Sequence, residues 1–349
     1  MNICKGDENI DSDYKTIVIA EISANHEQDQ NKAYEMINVA KGCGADVVKF
    51  QAYTPDTMTI NSIKPHFMVK HDVWAGQTLY ELYKKAYTPW DWFPDLKKYC
   101  DDIGIAFLCT AYDKSSVDML EALDVETYKI ASFELVDIPF LEYVGKTNKN
   151  VIMSIGMGNI GEVLEAFKAV NENQDTGELA LLKCVSNYPT DPSDMNLRTI
   201  PNMKELFGCT VGISDHTLGV GVSIAAVALG AEIIEKHFTL SRAKDKSPDS
   251  FFSIEPDDLK MLVSQTAIAR EALGSVRYGL PYGESTMKSF RRSLFVVKDM
   301  YEDQAFSEKN VRSIRPSNGL PPKYLPIILG RKASEKIEKG TPLSWDLIS

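Results

Sequence analysis

The chain has 349 residues, of which 44% are hydrophobic and 25% are charged, as in ordinary soluble globular proteins. Its formal net charge of −11 argues against nucleic acid or an anionic membrane surface as a partner. No run approaches the ~20 apolar residues of a membrane span, the acidic start lacks the apolar stretch of a secretion signal, and the six cysteines have no paired spacing. We therefore expect a cytoplasmic protein with free thiols.

Apolar runs alternate with helical patterns along residues 1–280. The runs that predict strands are 16–21, 45–51, 105–110, 127–132, 151–154, 179–186, 211–216 and 231–239. Helical patterns lie between or after them, for example at 31–41, 115–123, 162–170 and 255–273. Strands that are each followed by a helix predict an α/β fold, a (β/α)8 TIM barrel. An open doubly wound sheet is the alternative, and it is disfavoured because no glycine-rich dinucleotide motif follows the first strand.

One long segment, residues 53–87, separates the second predicted strand from the next helix. It is rich in aromatic and polar residues and contains His66, His71 and Trp74. Loops of this length inside compact domains are usually functional. We therefore expect the segment to contribute to a binding site.

The pattern changes after residue 290, where short extended runs alternate with glycine and proline clusters. This predicts a small, mostly β domain at 290–349, joined to the barrel by a linker at 281–289, with one short helix at 332–337. About sixty residues bury only a thin core, so we expect this domain to be supported by another surface.

Two of the five histidines follow consecutive predicted strands. His216 ends the run 211–216, and His237 lies near the end of the run 231–239. Because the carboxyl ends of parallel barrel strands meet at one mouth, the two imidazoles are expected to lie close together. Imidazole is a common ligand of transition metals, so the pair predicts a divalent metal site. Two hydrogen-bonded histidines without a metal are the alternative.

Lysine and hydroxyl side chains also occur at the predicted strand ends. Lys49 and Lys129 lie in apolar runs, where a buried ammonium group needs a partner. Together with hydroxyl groups they predict a site for a phosphate with a carboxylate beside it. For each hydroxyl taken alone, a hydrogen bond to the backbone at its own strand end is the favoured alternative. The hydroxyl residues are Thr110, Ser132, Ser154, Ser186 and Ser214.

Two carboxylates accompany these groups. Glu21 ends the first predicted strand and is either a general base or a counter-ion for one of the lysines. Glu235 faces the same side of its strand as His237, where it would orient a metal ligand or neutralise charge. Lys236, between them, is expected to point outward.

Five motifs together resemble the bacterial sialic acid synthase family over about residues 15–349. They are Ala-Glu21-Ile-Ser-Ala-Asn-His, Gly-Ala-Asp-Val-Val-Lys49-Phe-Gln51, Tyr-Lys129-Ile-Ala-Ser132, Gly-Ile-Ser214-Asp-His216-Thr-Leu-Gly and Glu-Lys-His237-Phe-Thr. The resemblance implies a phosphoenolpyruvate-dependent TIM barrel with a C-terminal antifreeze-like (SAF) domain. The segments 88–92, 132–134 and 310–316 are most similar to the pseudaminic acid synthase subgroup.

That resemblance implies a reaction. Phosphoenolpyruvate would condense with 2,4-diacetamido-2,4,6-trideoxy-L-altrose to give pseudaminic acid and phosphate. The alternatives within the family are the N,N'-diacetyllegionaminic acid and N-acetylneuraminic acid synthases. A 6-deoxy sugar is expected to meet an apolar wall, for which Trp74 and Phe133 are candidates.

The resemblance also implies roles for individual residues. His216 and His237 would bind manganese or magnesium, and Glu21 would be the acid/base. Arg315 would reach the active site of the neighbouring subunit, which implies a homodimer whose C-terminal domain caps the partner's site. The phosphoenolpyruvate pocket would comprise Lys49, Thr110, Lys129, Ser132, Ser154, Ser186 and Ser214, and the sugar would contact Gln51, Tyr188 and Asp249.

Some positions depart from the family pattern. Ile155 stands where threonine is usual, and the loop 242–249 lacks a glycine pair, which leaves Asp245 as an alternative to Asp249.

Two other function classes are disfavoured. A metal-dependent barrel hydrolase would need a His-x-His pair at the first strand, which is absent. A carbohydrate- or ice-binding protein would leave the lysines and histidines of the barrel unexplained.

Overall fold

A computed structural model of the chain describes residues 15–70, 75–284 and 286–349. His71 and Trp74 lie outside these residues, as does Cys4. The chain divides after Gly274 into two compact units. The finer boundaries predicted above, 1–280, 281–289 and 290–349, stay a prediction.

The first unit is a closed barrel of eight parallel strands, which confirms the predicted TIM barrel. Its strands are β1 (Ile17–Glu21), β2 (Val47–Ala52), β3 (Ala106–Ala111), β4 (Thr127–Ile130), β5 (Asn150–Ser154), β6 (Leu179–Cys184), β7 (Thr210–Asp215) and β8 (Ile233–His237). The helices of this unit are α1 (Gln30–Cys43), α2 (Pro55–Met58), α3 (Leu79–Ala86), α4 (Phe93–Ile103), α5 (Lys114–Ala122), α6 (Ile138–Gly145), α7 (Ile160–Asn171), α8 (Thr199–Phe207), α9 (Gly221–Ala228) and α10 (Pro256–Leu273).

Alternation along each strand separates the inside of the barrel from the layer beneath the helices. The inner core consists of apolar side chains such as Ile19, Val47, Leu108 and Ile233, and all of these are buried. Residues one position away, such as Val48, face outward and pack into the core that the helices cover. Towards the carboxyl ends the inward positions become polar, so the barrel mouth receives the charged and hydroxyl side chains.

The segment 53–87, predicted as one long loop, contains the helices α2 and α3. Thr54 and Thr57 cap α2, and a capping box of Thr78 and Glu81 begins α3. The Thr-x-x-Glu spacing at residues 78–81 was the available signal for this helix.

The second unit has a small apolar core that includes Leu294, Val296 and Phe306. Its strands β9 (Ser293–Val296) and β10 (Val311–Ile314) pair antiparallel, and its helix α11 spans Leu325–Ile328. The predicted helix at 332–337 is wrong, because Ala333 and Ile337 donate backbone hydrogen bonds to Gln304 and Met300 in extended pairing. In the described part of the chain, no helix has the length and apolar character needed to cross a membrane.

Candidate active site

A cavity of about 550 Å³ lies at the carboxyl ends of the barrel strands. Most of the site residues predicted from the sequence line it. These are Glu21, Lys49, Gln51, Lys129, Ser132, Ser154, Tyr188, Ser214, His216, Glu235, His237 and Asp249. Thr110 lies behind Lys49, Ser186 lies beside the cavity wall, and Arg315 belongs to the second unit, where it is exposed.

Lys49 is the centre of a buried charge cluster on the cavity floor. Its Nζ lies 3.0 Å from Glu235 Oε2, 3.3 Å from Glu21 Oε2 and 3.3 Å from Thr110 Oγ1. Burial lowers the pKa of Lys49, but the two carboxylates outweigh burial and raise it. Lys49 therefore keeps its positive charge at neutral pH, and Thr110 helps to orient it.

Lys129 lies on the neighbouring part of the floor. Its Nζ donates to Ser154 Oγ at 2.7 Å and to the Ile130 carbonyl oxygen at 2.7 Å, and lies 3.9 Å from Glu235 Oε2. Burial lowers the pKa of Lys129 to about 8, against the opposing effect of Glu235. Lys129 thus carries its charge at neutral pH and loses it in mildly alkaline solution.

The two carboxylates of the floor titrate differently. Burial raises the pKa of Glu235, but the two lysines and Ser214 outweigh burial and hold that pKa low. Burial raises the pKa of Glu21 despite the opposing Lys49, and the nearby Glu235 charge raises it further. Glu235 is therefore a fixed anion, whereas Glu21 is suited to proton transfer near neutral pH.

Hydroxyl groups surround a glycine at one side of the cavity. Ser132 Oγ accepts a hydrogen bond from Gly156 N at 3.0 Å. A Cβ atom at Gly156 would lie 2.6 Å from Ser186 Oγ and 2.8 Å from Ser132 Oγ. Glycine at this position keeps the two hydroxyls and the Gly156 amide close together, as an anion site requires.

The two predicted imidazoles meet in the cavity, with ring centroids 5.3 Å apart. Tyr188 and Phe252 pack against them, with the Tyr188 ring 4.4 Å from His216 and the Phe252 ring 4.8 Å from His237. His216 Nδ1 donates to the Val185 carbonyl oxygen at 2.8 Å, which leaves a lone pair on Nε2 of the neutral ring.

The chemistry of this pair fits a divalent cation. His237 Nδ1 is buried without a hydrogen-bond partner, and burial keeps the pKa of His237 well below its ordinary value. A neutral imidazole with an unused ring nitrogen, as in His237, can bind a metal ion directly. The hydrogen bond from His216 to a carbonyl oxygen fixes the tautomer of the His216 ring. Among the described residues, no cluster of three or more His, Cys, Asp or Glu side chains has metal-binding geometry. Two protein ligands would leave positions for water and substrate.

The structure separates the two aspartates that the sequence left open. Asp249 lines the cavity, accepts a hydrogen bond from Ser23 and has Oδ2 4.0 Å from His237 Nδ1. Asp245 instead lies outside the cavity and binds Lys32 at 2.8 Å and the Thr239 hydroxyl. Gln51 Nε2 bridges Glu21 and Ser23 at 2.7 and 2.9 Å, so it extends the same polar wall.

Several residues that the sequence analysis did not select complete the cavity. Tyr53 and Tyr112 pack edge to face at 5.3 Å, and Cys184 Sγ lies 3.9 Å from His216 Nδ1. Beside the cavity, Glu134 has a buried oxygen without a hydrogen-bond partner, and burial raises its pKa to about 8. The segment 53–87 adds an apolar wall of Met58, Met68, Val69, Leu79, Leu82 and Ala86. Phe133 also lines the cavity.

Known proteins resemble the chain over nearly its full length. A pseudaminic acid synthase of Campylobacter jejuni serotype O:23/36 is 40% identical over 96% of this chain and 97% of its own length. An N,N'-diacetyllegionaminic acid synthase of C. jejuni serotype O:2 is 34% identical over 93% of this chain and 98% of its own length. The solved N-acetylneuraminic acid synthetase of Leptospira borgpetersenii is 30% identical, with a TM-score of 0.70 over 81% of this chain and 94% of that one.

Two family models match the chain, one over most of the barrel and one over most of the second unit. The NeuB family model matches residues 36–278, and the SAF domain model matches residues 291–349. The resemblance inferred from the five motifs is therefore confirmed. The chain belongs to the NeuB family and ends in a SAF domain.

Proposed function

We propose that this enzyme condenses phosphoenolpyruvate with 2,4-diacetamido-2,4,6-trideoxy-L-altrose to give pseudaminic acid and phosphate. The observation that carries the proposal is the pair of buried lysines, Lys49 and Lys129, beside two imidazoles in one cavity. This combination suits a substrate with phosphate and carboxylate groups next to a second substrate with a polarised oxygen. The 40% identity to a pseudaminic acid synthase supports this sugar over the legionaminic acid precursor.

In this proposal phosphoenolpyruvate lies on the floor of the cavity. Lys49 and Lys129 attract its two anionic groups, and Ser154 holds the Lys129 ammonium in place. The hydroxyls of Ser132 and Ser186, with the Gly156 amide, form the side of the pocket, and Ser214 fixes Glu235 at 2.9 Å. The lysines are already paired with carboxylate and hydroxyl groups, so anion binding adds to an oriented set of charges.

His216 and His237 would hold a divalent cation, manganese or magnesium, which supplies a Lewis acid for the aldehyde oxygen of the sugar. The methylene carbon C3 of phosphoenolpyruvate forms the new bond to the aldehyde carbon, whose oxygen gains a proton. Water then adds to C2, the carbon that carries the phosphate oxygen, and loses a proton. The bond from C2 to the phosphate oxygen breaks, so that phosphate leaves and a keto group forms at C2. Glu21 handles the protons of these steps, because its carboxyl exchanges protons near neutral pH.

The sugar would occupy the outer part of the cavity. Gln51, Tyr188 and Asp249 offer polar contacts, while Phe133 and the apolar residues of segment 53–87 suit a 6-methyl group and acetamido methyls. Phe133 is 58% exposed, so its ring is open to contact with a ligand.

We also propose that the active unit is a homodimer in which the SAF domain of one chain caps the other chain's cavity and Arg315 contacts the sugar. Exposed apolar side chains around the mouth support this, since Val136, Met157 and Ile160 are each more than 60% exposed. Buried contact with a second chain would remove this surface from water.

A reducing cytoplasm is the expected location, and the five described cysteines carry free thiols.

The direct test is product analysis with manganese present. The proposal predicts a nine-carbon acid and one phosphate per phosphoenolpyruvate consumed, and His216→Ala or His237→Ala should abolish turnover in a folded protein. Full activity of either variant would contradict the metal role. Phosphate release without a nine-carbon acid would contradict the condensation itself.

A further inference from the structure

A buried polar cluster lies behind the two histidines, outside the cavity. On β1, β2 and β5 the outward-facing side chains are apolar. At the ends of β7 and β8 two outward-facing side chains are charged and yet buried. These are Asp215 and Lys236, which are 1% and 2% exposed. They lie opposite one another in the strand register. Asp215 and Lys236 directly precede His216 and His237 in the sequence, whereas Lys183, an outward-facing lysine at the end of β6, is only partly buried.

Each side chain of the cluster takes part in at least one hydrogen bond within it. Asp215 Oδ2 accepts from Lys236 Nζ at 2.9 Å and from Ser223 Oγ at 2.6 Å. Asp215 Oδ1 accepts from the Thr217 amide at 2.9 Å and from the Thr217 hydroxyl at 2.7 Å. Lys236 Nζ also donates to the Thr217 carbonyl oxygen at 2.6 Å. The cluster, defined here as Asp215, Thr217, Ser223 and Lys236, therefore satisfies both carboxylate oxygens and binds the ammonium twice.

These bonds immobilise the backbone on each side of His216. Asp215 precedes it and Thr217 follows it, and both are tied to Lys236, which directly precedes His237. Ser223 adds the first turn of α9 to the same anchor. The positions of the two imidazole-bearing residues are therefore coupled through the cluster as well as through the ring contacts in the cavity.

Stability alone does not require this arrangement. An apolar pair of similar volume in place of a buried ion pair is often neutral or stabilising. The neighbouring outward residues Val211, Ile213 and Ile234 are such apolar residues. A directional set of bonds instead fixes one geometry, and groups behind the metal ligands orient those ligands.

We propose that Asp215 and Lys236 are positioning residues that hold His216 and His237 at the separation required for divalent-metal binding. This inference rests on the proposed metal role of the two histidines. It assigns to the cluster no contact with metal or substrate. Loss of the cluster should therefore weaken metal binding before substrate is added.

The test is the dissociation constant for Mn²⁺ of the full-length protein without substrates, measured from the electron paramagnetic resonance signal of free Mn²⁺. Lys236→Met and the double variant Asp215→Asn/Lys236→Met should raise that constant about 10- to 100-fold, as loss of outer partners of metal ligands does. The double variant leaves no uncompensated buried charge, so it decides the question if Lys236→Met does not fold.

Two matched controls separate positioning from general destabilisation. Lys204→Met breaks an ion pair of 2.7 Å with Glu232, at the amino end of β8. Val211→Ala removes buried apolar contacts of β7 while leaving the cluster intact. Both controls should bind Mn²⁺ within twofold of the wild type, even where thermal unfolding shows a lower midpoint.

The Mn²⁺ affinities of the double variant, the control variants and the wild type decide whether the cluster has a positioning role. A folded double variant that binds Mn²⁺ within twofold of the wild type would overturn the positioning role and leave the metal site standing. Equal weakening in Val211→Ala would also overturn it, because general loosening would then explain the effect. Absence of Mn²⁺ binding by the wild type would overturn the metal site itself, and the positioning role with it.

Discussion

Replacement of Glu21 by glutamine tests the assignment of proton transfer. Glu21 is completely buried, its Oε1 accepts from Gln51 at 2.7 Å, and its Oε2 lies 3.3 Å from Lys49 Nζ. Glutamine keeps the size of the side chain and one acceptor oxygen, but it cannot exchange a proton. A positioned general acid/base contributes typically about 100- to 10,000-fold. We expect Glu21→Gln to lower kcat within that range, which corresponds to about 3 to 5.5 kcal/mol.

The same geometry predicts that the variant folds. Glu235 remains 3.0 Å from Lys49 Nζ, so the lysine is not left as an unpaired buried charge. The loss of stability should therefore be well below the ~3–5 kcal/mol that follows removal of an only partner. Thermal unfolding and the KM for phosphoenolpyruvate should change little.

The assay is phosphate release with both substrates at saturation, with Glu27→Gln as the control. Glu27 lies in the segment that follows β1 and pairs with Lys32 outside the cavity. A folded Glu21→Gln variant with kcat within threefold of the wild type would refute the assignment. A raised KM for phosphoenolpyruvate with unchanged kcat would instead identify Glu21 as a counter-ion of Lys49.

Three further predictions concern the anion pocket and the second unit. Because burial lowers the pKa of Lys129 to about 8, its charge is present below that pH and lost above it, so kcat/KM for phosphoenolpyruvate should fall about tenfold per unit above pH 8. Lys129→Met should show a low kcat/KM without this alkaline decline; a retained decline would exclude Lys129. Gly156→Ala should raise the KM for phosphoenolpyruvate at least tenfold, since the new methyl group would lie 2.6 Å from Ser186 Oγ, and an unchanged KM would remove this wall from the pocket. Arg315→Ala should raise the KM for the sugar more than that for phosphoenolpyruvate, and the reverse pattern in steady-state kinetics would argue against a SAF domain that caps the partner's site.

The barrel and much of its mouth were predictable because their signals are local. A β-branched run ending in His216 or His237 identifies both the strand and its functional end. Lys49 and Lys129 stood out because a charged residue inside an apolar strand needs a partner. Those signals depend on only a few neighbouring residues.

The remaining parts depend on contacts between distant segments. Asp249 and Asp245 lie in one loop, and only the contacts with Ser23 and Lys32 separate them. Tyr112 follows an ordinary strand, and nothing in its neighbours indicates that it packs on Tyr53. The outward direction of Lys236 was predictable from alternation, but its hydrogen bonds to Asp215 and Thr217 were not.

In the proposed reaction, phosphate is released when phosphoenolpyruvate condenses with one particular sugar aldehyde. The most direct measurement compares phosphate release, with manganese, for the 6-deoxy diacetamido-altrose, the legionaminic acid precursor and N-acetylmannosamine. We predict release at a kcat/KM for the altrose sugar at least 100-fold above that for the other two. Preferred turnover of another sugar would contradict the assigned substrate while keeping the chemistry, and no release with any of the three would contradict the reaction.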